Sequence, residues 1–304
     1  MFRLALLCFM IVVAPTFAQH SVLVQGKGKL AIVDAKGAVE WEMPWGGLHD
    51  LHLLPNGNIL APRGNTICEI DVKTKKVVWS YDCGKMNGNE GKKLEIHAFQ
   101  PLEDGKIMIA ESGVGRIIEI DRDGKIHAEI KLKVKNPHPH RDTRLARKLP
   151  TGNYLVCHEG DGVVKEYDAK GVVVWEFEVP LFDEKPRGGH GPEAWGNQTF
   201  GVQRLKNGNT LIATGNGHSV LEVTPEKKIV WHLKQKDLPN IVLAWVTTLE
   251  VLPNGNYVIG NCHAGKGQPL LVEIEPATKK VVWTFDQFDK WGNDVSNTKI
   301  VDKK

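Results

Sequence analysis

One five-residue turn recurs five times along the chain and limits what it can fold into. The copies are Leu54-Pro55-Asn56-Gly57-Asn58, Leu102-Glu103-Asp104-Gly105-Lys106, Leu149-Pro150-Thr151-Gly152-Asn153, Leu205-Lys206-Asn207-Gly208-Asn209 and Leu252-Pro253-Asn254-Gly255-Asn256. Each separates two apolar, β-branched runs and reads as a tight hairpin. Glycine supplies the positive φ that such a turn needs. The turn glycines are 48, 47, 56 and 47 residues apart. That is the length of a four-stranded propeller blade.

The segments between the turns fit this reading. A third strand ends in an acid or small polar residue, a Lys- or Gly-containing turn follows, and a fourth strand carries tryptophan. The fourth-strand tryptophans are Trp41, Trp79, Trp175, Trp231 and Trp283, with Ala128 at the equivalent place after the second turn. An aromatic repeated at one blade position points to packing between blades. Alternation dominates and helical periodicity is absent.

Residues 1–18 carry one charge, Arg3, and a continuous apolar run over 4–15, followed by small residues around Ala18. This predicts a signal peptide cleaved after Ala18 and a periplasmic or secreted protein. The run is too short to span a hydrocarbon core, so no stable membrane insertion is expected after cleavage. The remaining 19–304 reads as one domain. At a mean glycine spacing of 49.5 residues it holds about six blades. Five follow from the turns. The sixth is assembled from both ends: residues 21–25, 30–34 and 38–41 supply three strands and 294–301 the missing one, closing the ring without exposed edges. The expected fold is therefore an all-β, six-bladed propeller.

Certain segments resemble a known family. Asp71-x-x-Thr74-x-Lys76-x-x-Trp79, Glu275-x-x-Thr278-x-Lys280-x-x-Trp283 and Asp34-x-x-Gly37-x-x-x-Trp41 look like the tryptophan docking motifs of the pyrroloquinoline-quinone-like, or quinoprotein-like, propeller repeat. Arg204-Leu205-x-Asn207-Gly208-Asn209-Thr210-Leu211-Ile212 is similar to blades of arylsulfotransferase-like propellers. Quinone-dependent dehydrogenases of that superfamily have eight blades and an adjacent cysteine pair. This chain has room for six blades and has no such pair. The cofactor is left open.

Composition narrows the partners little. The formal charge of +3 becomes +2 without Arg3, which argues against nucleic acid. Cys68, Cys83, Cys157 and Cys262 survive cleavage with no C-x-x-C pattern, and their disulfide state is open.

The chemistry is expected on the face carrying the loops between blades, because those loops vary in length while the hairpins opposite are short. Eight residues before each turn glycine stand His49, His97, Arg144, Phe200 and Thr247. Six residues after it stand Arg63, Glu111, His158, Thr214 and Asn261, with Gln25 from the N-terminal blade. Both sets are expected to ring the channel mouth, joined by His138, His140, Arg141, His190, His218 and His263 from loops. Arginine forks and imidazoles suit a small anionic or oxygenated ligand.

Two enzyme readings and one scaffold reading compete with simple binding. In the sulfotransferase reading implied by the resemblance, His97 or His49 is the nucleophile, with Arg144 and His158 holding the anion. In the metal-assisted reading His49, His97, His158 and His263, with Glu111, are the ligands. As a scaffold comparable to assembly factors with quinoprotein-like repeats, the protein binds an exported protein or peptide through loops such as Pro186-Arg187-Gly188-Gly189-His190-Gly191-Pro192. Trp45, Trp195, Trp245 and Trp291, which precede first strands, are the candidates for ligand stacking.

Overall fold

The computed structural model describes residues 20–302. The predicted signal peptide lies outside the described residues. Six antiparallel sheets of four strands each form the molecule. Blade 1 comprises Thr298–Ile300, Val22–Gly26, Lys29–Val33 and Val39–Pro44, and blade 2 comprises His52–Leu53, Ile59–Arg63, Thr66–Asp71 and Lys76–Asp82. Blade 3 comprises Glu95–Pro101, Ile107–Ser112, Arg116–Ile120 and Ile126–Lys131. Blade 4 comprises Ala146–Lys148, Tyr154–His158, Val163–Tyr167 and Val173–Glu178. Blade 5 comprises Gly201–Arg204, Thr210–Ala213, Val220–Val223 and Ile229–Leu233, and blade 6 comprises Trp245–Val251, Tyr257–Cys262, Leu271–Glu275 and Lys280–Phe285.

The ring closes as the sequence predicts. Thr298–Ile300 pairs antiparallel with Val22–Gly26, with Val24 opposite Thr298 and Val22 opposite Ile300. His20 finishes the closure by meeting Asp302 at 2.6 Å and Glu273 of blade 6 at 2.9 Å.

A propeller blade stands edge-on to the axis, so its side chains point sideways into the neighbouring blades. The hydrophobic core is accordingly divided into six clusters, one in each seam. The seam of blades 2 and 3, for example, joins Leu60 and Ile67 to Phe99, Ile107 and Ile118.

Two repeated polar devices reinforce the seams. The indole N–H groups of Trp41, Trp79, Trp175 and Trp231 donate to the carbonyls of Val72, Arg122, Pro225 and Pro276, each in the next blade, at 2.8 to 2.9 Å. Trp283, the last of the set, instead meets the His20 ring edge-on at 4.9 Å. The final Asn of four turns, at 58, 153, 209 and 256, donates to Glu69, Glu166, Glu222 and Glu273 at 2.6 to 2.7 Å. These glutamates reach the following blade, as in Arg122 with Glu69 at 2.7 Å and Arg204 with Glu166 at 2.5 Å. The turn glycines hold φ between 82° and 89°.

All four described cysteines are buried free thiols. No helix among the described residues is long and apolar enough to cross a membrane.

Candidate functional site at the channel mouth

The first strand of each blade lies nearest the axis, so the residues that open these strands are the ones able to meet across it. Ser296, His49, Arg144, Phe200 and Thr247, from five different blades, line one cavity of about 200 Å³ on the loop face. His97, from the remaining blade, stands directly behind. Its ring is 4.5 Å from His49 and 5.4 Å from His140, edge-on to both. Loops complete the wall with Leu48, His140, His190, His263 and Asp294, and Trp245 and Cys262 add an apolar side. Phe200, Trp245 and Cys262 form a small apolar cluster separate from the six seams.

Local backbone irregularity aims these groups. The pairing of Glu95–Pro101 with its neighbour skips between Ile96 and Ala98, leaving His97 as the extra residue of a bulge. A similar shift between Val246 and Leu249 frees Thr247. His49 and His263 hold φ at 82° and 62°, a left-handed backbone costing on the order of 1–3 kcal/mol in a non-glycine residue. Surrounding bonds fix it: His49 N–H donates to Ser296 Oγ at 3.2 Å, its carbonyl accepts from Gln25 Nε2 at 3.0 Å, and His263 N–H donates to the Asn293 carbonyl at 2.8 Å.

The electrostatics are set by burial. Arg144 is 5% exposed, packs against Phe200, and bonds Glu159 through Nε. Its two terminal nitrogens have no protein partner among the described residues. Burial, helped by the positive Arg144, pushes the His97 pKa below its ordinary value and the His49 pKa well below. Burial also lowers that of His263. His49 Nδ1 is enclosed and has no hydrogen-bond partner. Glu95 Oε2 lies 3.0 Å from His97 Nε2 and 2.8 Å from His140 Nδ1, and the nearness of these two rings, His97 first, brings its pKa down to about 2. On the opposite wall His190 lies 4.8 Å from the Trp245 ring and 5.2 Å from the His263 ring, and His263 Nδ1 is 3.3 Å from Asp294.

A second cavity of about 370 Å³ lies further along the axis. Arg147 of blade 4 spans to Asp50 there, with bonds of 2.6 and 2.9 Å.

The residues six positions after the turn glycines do not join the mouth, which corrects the expectation for that set. Second strands are one layer removed from the axis, and their side chains enter the seams. His158 is fully buried between the Asp142 carbonyl at 2.6 Å and the Tyr167 hydroxyl at 2.8 Å. Glu111 pairs with Arg116 at 2.5 Å and Asn89 at 2.9 Å. The Asn261 amide ties down the backbone of Ala244, Val242 and Pro269. Arg63 lies over the Trp45 ring at 4.0 Å and points outward. Among the loop histidines, His218 braces the Ala244 and Ala194 carbonyls at 2.5 and 2.6 Å and lines no part of the cavity. The proposed ligand set of His49, His97, His158, His263 and Glu111 therefore does not converge.

Sequence reasoning missed Glu95, Glu159 and Asp294. A signal for Glu95 was present, since residues i and i+2 of a strand share a side and Glu95 stands two before His97. Of the loop tryptophans, Trp245 alone lines the mouth. Trp195 bonds the Leu181 carbonyl, and Trp45 bonds that of Pro62.

A family model described as outer membrane protein assembly factor BamB matches residues 26–285. No curated protein matches the chain. Among solved structures, a protein of unknown function from Bacteroides caccae shares 24% identity over 94% of this chain and 100% of that one, with a TM-score of 0.75. A streptogramin B lyase shares 13% identity over 90% and 85% of the chains, with a TM-score of 0.57. A catalytically inactive histidine-to-alanine variant of virginiamycin B lyase from Staphylococcus aureus, with quinupristin, shares 14% over 90% and 87%, with a TM-score of 0.56. At these identities the likeness is one of fold.

Proposed function

The chain belongs to the family of the outer membrane protein assembly factor BamB, and from that premise we propose that it is an exported propeller whose channel mouth binds a small oxyanion-bearing ligand. The observation carrying this reading is Arg144. The side chain is buried and lines the cavity, and among the described residues the guanidinium hydrogen-bonds only through Nε, to Glu159. A carboxylate, sulfate or phosphate oxygen matches that fork. Imidazoles at His49, His140, His190 and His263 line the same cavity, and an imidazole can donate or accept. Phe200 and Trp245 offer a face for a flat apolar portion of the ligand. The apolar start of the sequence and the family together support a periplasmic or secreted location.

Calorimetric titration with sulfate, phosphate and benzoate tests the reading. Saturable binding of at least one is expected, weakened at least tenfold in both Arg144→Gln and His190→Ala. Absence of binding to the native protein, or native-strength binding by both variants, overturns it. A pulled-down protein partner whose binding ignores both substitutions would favour the scaffold reading.

A further inference from the structure

We propose that Glu95, His97 and His140 form a binding site for one divalent transition-metal ion of the zinc type, with a coordination position open to the mouth cavity. The inference goes beyond oxyanion binding and stands without it.

Three observations carry it. First, Glu95 Oε2 lies 3.0 Å from His97 Nε2 and 2.8 Å from His140 Nδ1, and one ligand atom from each of the three residues lies within 4.8 Å of the others. Ligands about 2.0–2.2 Å from a tetrahedral zinc stand roughly 3.3–3.6 Å apart, so small side-chain adjustments place all three around one ion. Second, the bonding of His97 is over-committed. Nδ1 faces the Thr143 carbonyl at 3.0 Å and Nε2 faces the Glu95 carboxylate at 3.0 Å, and both partners are acceptors. A neutral imidazole has one N–H and satisfies one of them. With the proton on Nδ1, held by the Thr143 carbonyl, the Nε2 lone pair opposes a carboxylate oxygen. A cation between the two turns that opposition into coordination. The backbone carbonyl then has the part usual for an outer partner of a metal-bound histidine, fixing its tautomer and ring plane. Third, His49 lies against His97 with an enclosed Nδ1 lacking any partner.

The donor set of two imidazoles and one carboxylate suits zinc and its neighbours rather than magnesium or calcium, which prefer all-oxygen shells. The positive charge of Arg144 is felt at His97, and its pairing with Glu159 offsets its repulsion of the ion. The sequence hid this site because Glu95 and His97 come from a strand of blade 3 and His140 from the loop after it, with no short ligand motif.

Cobalt titration of the chelator-treated full chain is the test, because four-coordinate cobalt is visibly coloured and needs no knowledge of activity. One equivalent of Co²⁺ is expected to develop the bands, and one equivalent of Zn²⁺ to bleach them. Glu95 and His140 are both about half exposed, so Glu95→Gln and His140→Ala should fold as the native chain does. Each should weaken cobalt binding at least tenfold, while His127→Ala, on a distant exposed strand, should not. Absence of saturable cobalt binding, or unchanged affinity in both ligand variants, overturns the proposal. Cobalt is added with no oxyanion present, and the oxyanion titration uses metal-free protein, so either proposal can fail alone.

Discussion

His158 and His20 show how the surroundings of an imidazole decide its contribution. Burial brings the His158 pKa down to about 4, against an ordinary 6.5. Unfolded chains bind a proton in that interval and the folded protein does not. The stability due to neutral His158 is therefore complete above pH 6.5 and is lost as pH falls toward 4, by up to ~3 kcal/mol. Urea unfolding at pH 7 and pH 4.5 should show a larger acid loss in the native chain than in His158→Gln; equal losses would refute this. At His20 burial works against the proton, but the bonds to Asp302 and Glu273 outweigh it and raise the pKa. That contribution has the opposite sign: it is full below pH 6.5 and fades as pH rises through the raised value. Neither environment was legible in the sequence, because each depends on partners that the fold brings up sideways. For the same reason, counting six residues from the turn glycine found the right strand end but the wrong direction for His158, Glu111 and Asn261.

Blades could be read from the chain because most of them repeat the same solution to the same local problem. A turn needs positive φ, so glycine recurs. The outermost strand needs a hold on its neighbour, so tryptophan recurs. The structure supplies the reason for the latter: an indole N–H donated across the seam. Replacing Trp175 by Phe keeps much of the packing and removes a bond to the Pro225 carbonyl, at a cost of about 1 kcal/mol. Trp283→Phe removes no comparable bond among the described residues and should cost less. Chemical denaturation of both variants checks the order, and a reversal would mean that ring packing rather than the donated hydrogen accounts for the repetition. The turn asparagines carried a second signal that sequence reasoning undervalued. Their role extends beyond tolerating a tight turn, since they clamp the third-strand glutamates that reach the next blade.

At the scale of the whole molecule, a closed ring brings six first strands to one axis, and the binding proposals depend on that convergence. His49 and His263 are separated by most of the ring in sequence, yet they line one cavity because Thr298–Ile300 completes blade 1 beside Val22–Gly26. Of the positions eight before each turn glycine, His49, Arg144, Phe200 and Thr247 line one cavity and His97 stands behind His49, since innermost strands leave little freedom about where their openings lie. Loop residues such as Asp294 were less predictable, because no periodicity constrains them. In the binding proposal, imidazoles from different blades form one ligand site. The most direct measurement is imidazole ¹⁵N NMR during an oxyanion titration. Resonances of His49, His140, His190 and His263 should shift together with one dissociation constant, while those of His52, His127 and His158 stay still. Shifts confined to the latter group, or no common constant among the first four, would contradict it.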